Sequence, residues 1–205
     1  MSSSLDIIIV GAGIVGAACA LECARGGLKV LVLDRNTIGS GTTAAGMGHI
    51  VVMDDSEAQF ALTHYSRQLW LELRPQLPAD VEYELCGTLW VAADDEEMAE
   101  VHRKHKYYTE RGVRVEVLDA AAVAKTEPNL RAGMAGGLRV PEDGVLYPPC
   151  AARYLLEQAQ QRGAEIRTRT AVRELLPEGG VVLNDGSRIS AARTSRTSHS
   201  CCMRG

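Results

Sequence analysis

The chain has 205 residues, of which 46% are hydrophobic and 23% charged, with 20 glycines and a formal net charge of −4. That is a globular α/β composition, long enough for one domain or one and a half. The negative balance excludes the broad cationic field that nucleic acid or anionic lipid requires, so small-molecule chemistry is favoured.

The apolar stretch Leu5 to Leu21 lacks a basic leader, contains Asp6 and is studded with glycines, so it reads as neither a targeting nor a spanning segment. Its first part, Leu5 to Val10, is β-branched and nearly continuously apolar, the pattern of a strand covered on both faces in a parallel sheet. Ile14 to Arg25 follows as a helix stopped by Gly26-Gly27, and Lys29 to Leu33 is a second buried strand that ends at Asp34. Gly39 to Gly48 is a run of small residues and threonines with too little bulk to pack on itself.

Glu57 to Leu73 is a long helix whose expected core side carries Phe60, Ala61, His64, Leu69, Trp70 and Leu73. Val81 to Leu85 and Thr88 to Ala92 are expected to pair as strands around Cys86-Gly87, and Asp94 to Glu110 is a helix with its acids first and bases late. Gly133 to Tyr147 reads as strand and turn. Pro148 opens a helix closed by Gly163, and Glu165 to Thr168, Ala171 to Leu176 and Val181 to Leu183 are further strands, with a turn at Asn184-Asp185-Gly186. Ala191 to Gly205 carries Arg193, Arg196 and Arg204 without an acid and has neither strand nor helix periodicity. Six cysteines, Cys19, Cys23, Cys86, Cys150, Cys201 and Cys202, show no metal-ligand spacing and no disulfide framework, so no metal site and a reducing, cytoplasmic setting are expected.

The chemistry is carried by Gly11-Ala12-Gly13-Ile14-Val15-Gly16, which joins the first strand to the first helix. Gly11 permits the tight turn, Gly13 lets backbone approach a pyrophosphate, and Gly16 lets helix and strand pack closely, so that the helix-start N–H groups meet phosphate charge. Asp34 closes the second strand, placed to accept hydrogen bonds from a ribose hydroxyl. Arg35 beside it is assigned to the adenosine edge or solvent. This pattern predicts dinucleotide binding but does not separate FAD from NAD. The separation comes from the small-residue loop Gly41 to His49, whose threonine hydroxyls and exposed amides can cradle a pyrophosphate and whose glycines allow backbone to lie against a flat ring.

With that loop, with Thr42-Thr43-Ala44-Ala45-Gly46-Met47, Lys125-Thr126-Glu127-Pro128, Asp143-Gly144-Val145-Leu146-Tyr147-Pro148 and Gly163-Ala164-Glu165-Ile166, the sequence resembles the D-amino-acid oxidase and dehydrogenase family, especially its glycine oxidase-like and D-hydroxyproline dehydrogenase-like bacterial members. The resemblance runs from about Leu5 to about Ala192. It implies an FAD enzyme that oxidises a carbon–nitrogen bond of a small amino or imino acid, with hydride passing to the flavin and, in the full-length parent, electrons passing onward to oxygen or a membrane quinone. The implied fold is α/β, a discontinuous FAD-binding Rossmann-like sheet of glutathione-reductase type. Residues 1–54 and 148–192 would form it, 55–147 would be an inserted part of a mixed α+β substrate domain, and 193–205 an aberrant, disordered tail.

By the same resemblance Thr42 and Thr43 would meet the pyrophosphate, Gly46, Met47, Gly48 and His49 would border the isoalloxazine, and Val172 would contact adenine through its backbone. Ile14, Val15, Arg35 and Ala44 complete the implied cofactor-binding set. Asp34 departs mildly from the family, which more often has Glu there. His49 reads as a loop histidine at the ring edge ahead of a proton shuttle, and no catalytic residue is assigned. Family members are about twice as long. Their later half supplies the sheet-completing strand and the arginine that grips the substrate carboxylate, neither of which is recognisable here, so the chain is expected to be a truncated form with weak FAD binding. An NAD-binding module and a non-catalytic interaction fragment stand as the alternatives.

Overall fold

The computed structural model describes residues 5–197. In chain order its elements begin with β1 (Leu5–Val10), α1 (Ile14–Arg25), β2 (Val30–Leu33), α2 (Thr42–Ala45), β3 (His49–Ile50) and α3 (Glu57–Leu73). They continue through β4 (Thr88–Ala92), α4 (Asp95–Glu110), β5 (Glu116–Asp119), α5 (Ala120–Thr126), β6 (Gly136–Val140) and β7 (Gly144–Val145). The last are α6 (Pro148–Gln160), β8 (Glu165–Arg167), β9 (Val172–Leu175), β10 (Val181–Leu183), β11 (Arg188–Ile189) and β12 (Ala191–Arg196). The chain divides into two compact units, Met1–Met47 with Leu77–Val81 and Tyr147–Gly205, and Gly48–Gln76 with Glu82–Leu146.

The first unit is built on a parallel sheet in the order β12-β1-β2-β8. β1 and β2 are apolar on both faces because both are covered. Helices α1 and α6 pack against each other, and each buries small residues, Gly16, Ala17 and Ala20 in the one and Ala151, Ala152 and Ala159 in the other. Toward the antiparallel ribbon β11-β10-β9, Ile8, Leu31 and Leu33 form a core with Val181, Leu183 and Ala191. α1 stops where Gly27 turns into the left-handed region at φ 78°, a conformation that costs glycine nothing.

β12 corrects the expectation for the tail. Residues 193–196, expected to be disordered, run parallel to β1 in the register Leu5↔Ala191 to Val10↔Arg196. Main-chain hydrogen bonding to β1 builds this strand, and its polar side chains suit the edge of a sheet. Thr194 Oγ1 accepts from the Gly180 N–H at 2.9 Å and so satisfies its hydroxyl. The rest of the tail, with Cys201 and Cys202, lies outside the described residues.

The second unit holds the antiparallel sheet β4-β6-β5 and the pair β3-β7. Its core gathers Val52, Phe60, Ala92, Val101, Tyr108, Val113, Leu138 and Val140. Helix starts follow their caps: Ser56 accepts from Gln59 N–H, Asp94 from Glu97 N–H and Asp119 from Ala122 N–H. The hairpin expected around Cys86-Gly87 does not form. Ala79–Val81 is a single 3-10 turn, Glu82 stands in the left-handed region at φ 51° and breaks any strand there, and β4 pairs with β6 instead.

The inner face of α3 also differs from expectation. Phe60 is buried, but Ala61 is exposed and Leu69 is 47% exposed, while Arg67 is 2% exposed. Arg67 Nη1 pairs with Asp143 Oδ1 at 3.0 Å, and that carboxylate also accepts from Val52 N–H at 3.3 Å. A buried arginine with a buried acid partner satisfies burial as an apolar residue would, which the hydrophobic pattern cannot register. Burial pushes the Asp143 carboxyl up, against the opposing pull of Arg67 and the Val52 N–H.

Candidate functional site

In the first unit the Gly11-to-Gly16 loop and the end of β2 come together as their spacing requires. Gly11 turns at φ 119° with its N–H donating to Leu33 O at 2.8 Å, which ties the loop to the second strand. Gly13 is the N-cap of α1 and provides no side-chain cap, and the first turn holds no acid. The first amides of a helix have no intrahelical acceptor, so this terminus keeps its positive end open to an anion. A Cβ on Gly16 would lie 1.9 Å from Gly11 O, so only glycine permits this approach of α1 to the loop.

Asp34, half-buried, accepts from Ala12 N–H through Oδ2 at 2.7 Å and from Asn36 N–H through Oδ1 at 2.7 Å. It therefore shapes the glycine loop. Each oxygen keeps a second lone pair for a hydroxyl donor. Thr43, from α2, accepts the Ile14 N–H through Oγ1 at 3.0 Å, which leaves its own hydroxyl proton to donate to an anion. The run Gly41 to Gly46, expected as loop, winds into the one-turn helix α2, with Ala45 N–H donating to Gly41 O at 3.0 Å.

The other sequence-predicted residues fall as follows. Val15 at the mouth of α1 is 57% exposed and Met47 78%, and Arg35, Thr42, Ala44 and Gly46 are exposed. Val172 opens β9 and packs on the core beside Leu31 and Leu33. Gly48 and His49 belong to the second unit, where β3 pairs with β7 in the register His49↔Val145 and His49 is exposed.

Two contributors escape the sequence reading. Residues 168–170 follow β8 alongside Asp34, with Thr170 N–H donating to Asp34 O at 2.7 Å and Arg169 N–H to Asn36 O at 3.1 Å. Thr197, just past β12, donates its N–H to Val10 O at 3.0 Å, and its Oγ1 would stand 2.9 Å from a Cβ on Gly16. The first has a faint signal in the polar gap between two strand patterns. The second has none, because only the sheet order brings it there.

This unit fits the ADP half of FAD: a helix terminus whose N-cap carries no side chain, a glycine where a methyl group would collide with backbone, a hydroxyl at the loop and an acceptor carboxylate at the strand end. Comparison with known proteins agrees. A family model described as FAD dependent oxidoreductase matches residues 6–197. The glycine oxidase of Geobacillus kaustophilus is 28% identical over 84% of this chain and 48% of its own length. The 4-methylaminobutanoate oxidase (formaldehyde-forming) of Paenarthrobacter nicotinovorans is 29% identical over 86% of the chain and 22% of its own length. The chain thus spans half or less of these relatives. Among solved structures, G. kaustophilus glycine oxidase superposes with a TM-score of 0.85 at 25% identity, over 96% of this chain and 56% of that one. The L-proline dehydrogenase of P. horikoshii gives 0.84 at 25% identity, over 97% and 54%. On the glycine loop, its acid partner and the span of the family match, the chain belongs to the DAO family of FAD dependent oxidoreductases.

Proposed function

We propose that this chain holds FAD by its ADP moiety and serves the oxidation of a carbon–nitrogen bond in a small amino or imino acid. The observation that carries this reading is the closed arrangement of Gly13, Thr43 and Asp34 around the open start of α1. The relatives' names, glycine oxidase, 4-methylaminobutanoate oxidase and L-proline dehydrogenase, share substrates with a carbon–nitrogen bond. FAD, when bound, supplies the two-electron acceptor that no side chain can provide.

The chain's own residues bind and orient. The amides at the start of α1 and the Thr43 hydroxyl hold the diphosphate, and Asp34 accepts from a ribose hydroxyl. Gly46 and Met47 offer backbone to the ring end. A reducing, cytoplasmic setting is part of the proposal, supported by free thiols at Cys19, Cys23, Cys86 and Cys150. Titrating the purified chain with FAD while following flavin fluorescence tests the reading. Saturable binding that ADP displaces is the expected result, and tighter binding of NAD than of FAD overturns it.

A further inference from the structure

Arg169 adopts φ 54°, in the left-handed region that side chains other than those of Gly, Asn and Asp rarely enter. The strain sits beside the ribose acid. Arg169 N–H donates to Asn36 O at 3.1 Å, and the Asn36 N–H in turn donates to Asp34 Oδ1 at 2.7 Å. A non-glycine residue held in this conformation beside a ligand cradle points to a task for its side chain, because glycine would fill the turn without strain.

Arg169 is exposed and makes no ion pair among the described residues, whereas Arg167, two residues earlier, is bonded to Glu165 at 2.7 Å. Asp34 is already engaged by the Ala12 and Asn36 amides, so it does not require Arg169 as a partner. A guanidinium is planar and weakly hydrated, and it stacks on flat π-systems as readily as it pairs with anions. The flat group that a dinucleotide presents beyond its ribose is adenine.

We propose that Arg169 is an adenine-contacting residue of the cofactor cradle, its guanidinium lying against the base of the ADP moiety. This rests on the FAD reading above and adds a specificity-determining residue to it. The test compares the wild-type chain with Arg169→Gly by calorimetric titration of ADP and of inorganic pyrophosphate, alongside thermal unfolding. Glycine relieves the strained backbone, so the variant is expected to unfold at the same temperature or higher while its ADP affinity falls by about tenfold, the scale of one cation–π contact. Pyrophosphate affinity stays unchanged. Arg169→Asn, which also tolerates this conformation, gives the same pattern. Unchanged ADP affinity in both variants overturns the inference alone, as does an equal loss for pyrophosphate, which would put the guanidinium on the phosphates. A wild-type chain that binds neither ADP nor FAD overturns the cofactor reading together with it.

Discussion

A methyl group on Gly16 has no place to go, since its nearest neighbour, 1.9 Å away, is the backbone oxygen of Gly11. Gly13 differs, because the atom a Cβ would meet at 2.8 Å is the Thr43 hydroxyl, which can rotate aside. Gly16→Ala is therefore expected to separate α1 from the loop, at a cost on the order of 1–3 kcal/mol in stability. Loss of saturable FAD fluorescence change, together with a lower melting temperature, is the expected result. At this scale the glycines and Asp34 are legible from spacing alone, because each has a backbone task fixed by its offset from the strand. The double engagement of Asp34 and the Thr43 bond to Ile14 are not, since they depend on how separate loops approach. Thr197 is further out of reach, 187 residues from the carbonyl of Val10 that it contacts.

Among the elements, α3 and α4 are legible in the sequence, α4 from its acids first and bases late, whereas α5, whose Asp119 cap takes up the Ala122 amide, goes unread. β4 is read with its observed bounds and β6 within a strand-and-turn segment, but their pairing Thr88↔Val140 is not, because it is set by the rest of the second unit. α4 is tied to the segment before α3 by Asp54, whose carboxylate is 4% exposed. Asp54 accepts from Arg103 Nη2 at 2.6 Å, from Lys104 and from the Tyr108 hydroxyl at 3.2 Å. Burial by itself would raise the Asp54 pKa, but the hydrogen bonds from Lys104 and Arg103 outweigh it and hold it below the usual carboxylate range. A depressed folded-state pKa stabilises above the unfolded value of about 3.9 and is lost as pH falls below it through the folded value. Asp143, pushed up by burial, acts in the opposite sense. Asp54→Asn is expected to cost on the order of 1–3 kcal/mol near neutral pH. Thermal melts across pH 2–7 should show the variant with a flatter acid limb than wild type, and parallel curves would overturn this account.

Over the whole molecule, the parallel sheet carries the proposed cofactor cradle on its two central strands and ends in β12 on one side and β8 on the other. Ending the chain after Ser190 would turn β1 into an edge and uncover Ile8 and Leu31, now in the core beneath Ala191. That shortened chain is expected to aggregate and to lose FAD binding, which light scattering and flavin fluorescence report. A soluble monomer with wild-type affinity would show that β12 is dispensable. The parallel sheet and its first two strands were readable because buried strands are written in apolar side chains. β12 was not, because it is written in main-chain hydrogen bonds.

That last feature reaches into how this segment can vary. A strand recruited by peptide groups places few demands on what its outward residues are, so Ala192 and Arg193, both exposed, are open to wide replacement. Proline is the exception wherever its missing N–H would interrupt the ladder with β1. Two chains of this kind can therefore diverge beyond easy alignment along their outermost strand while their sheets remain superimposable.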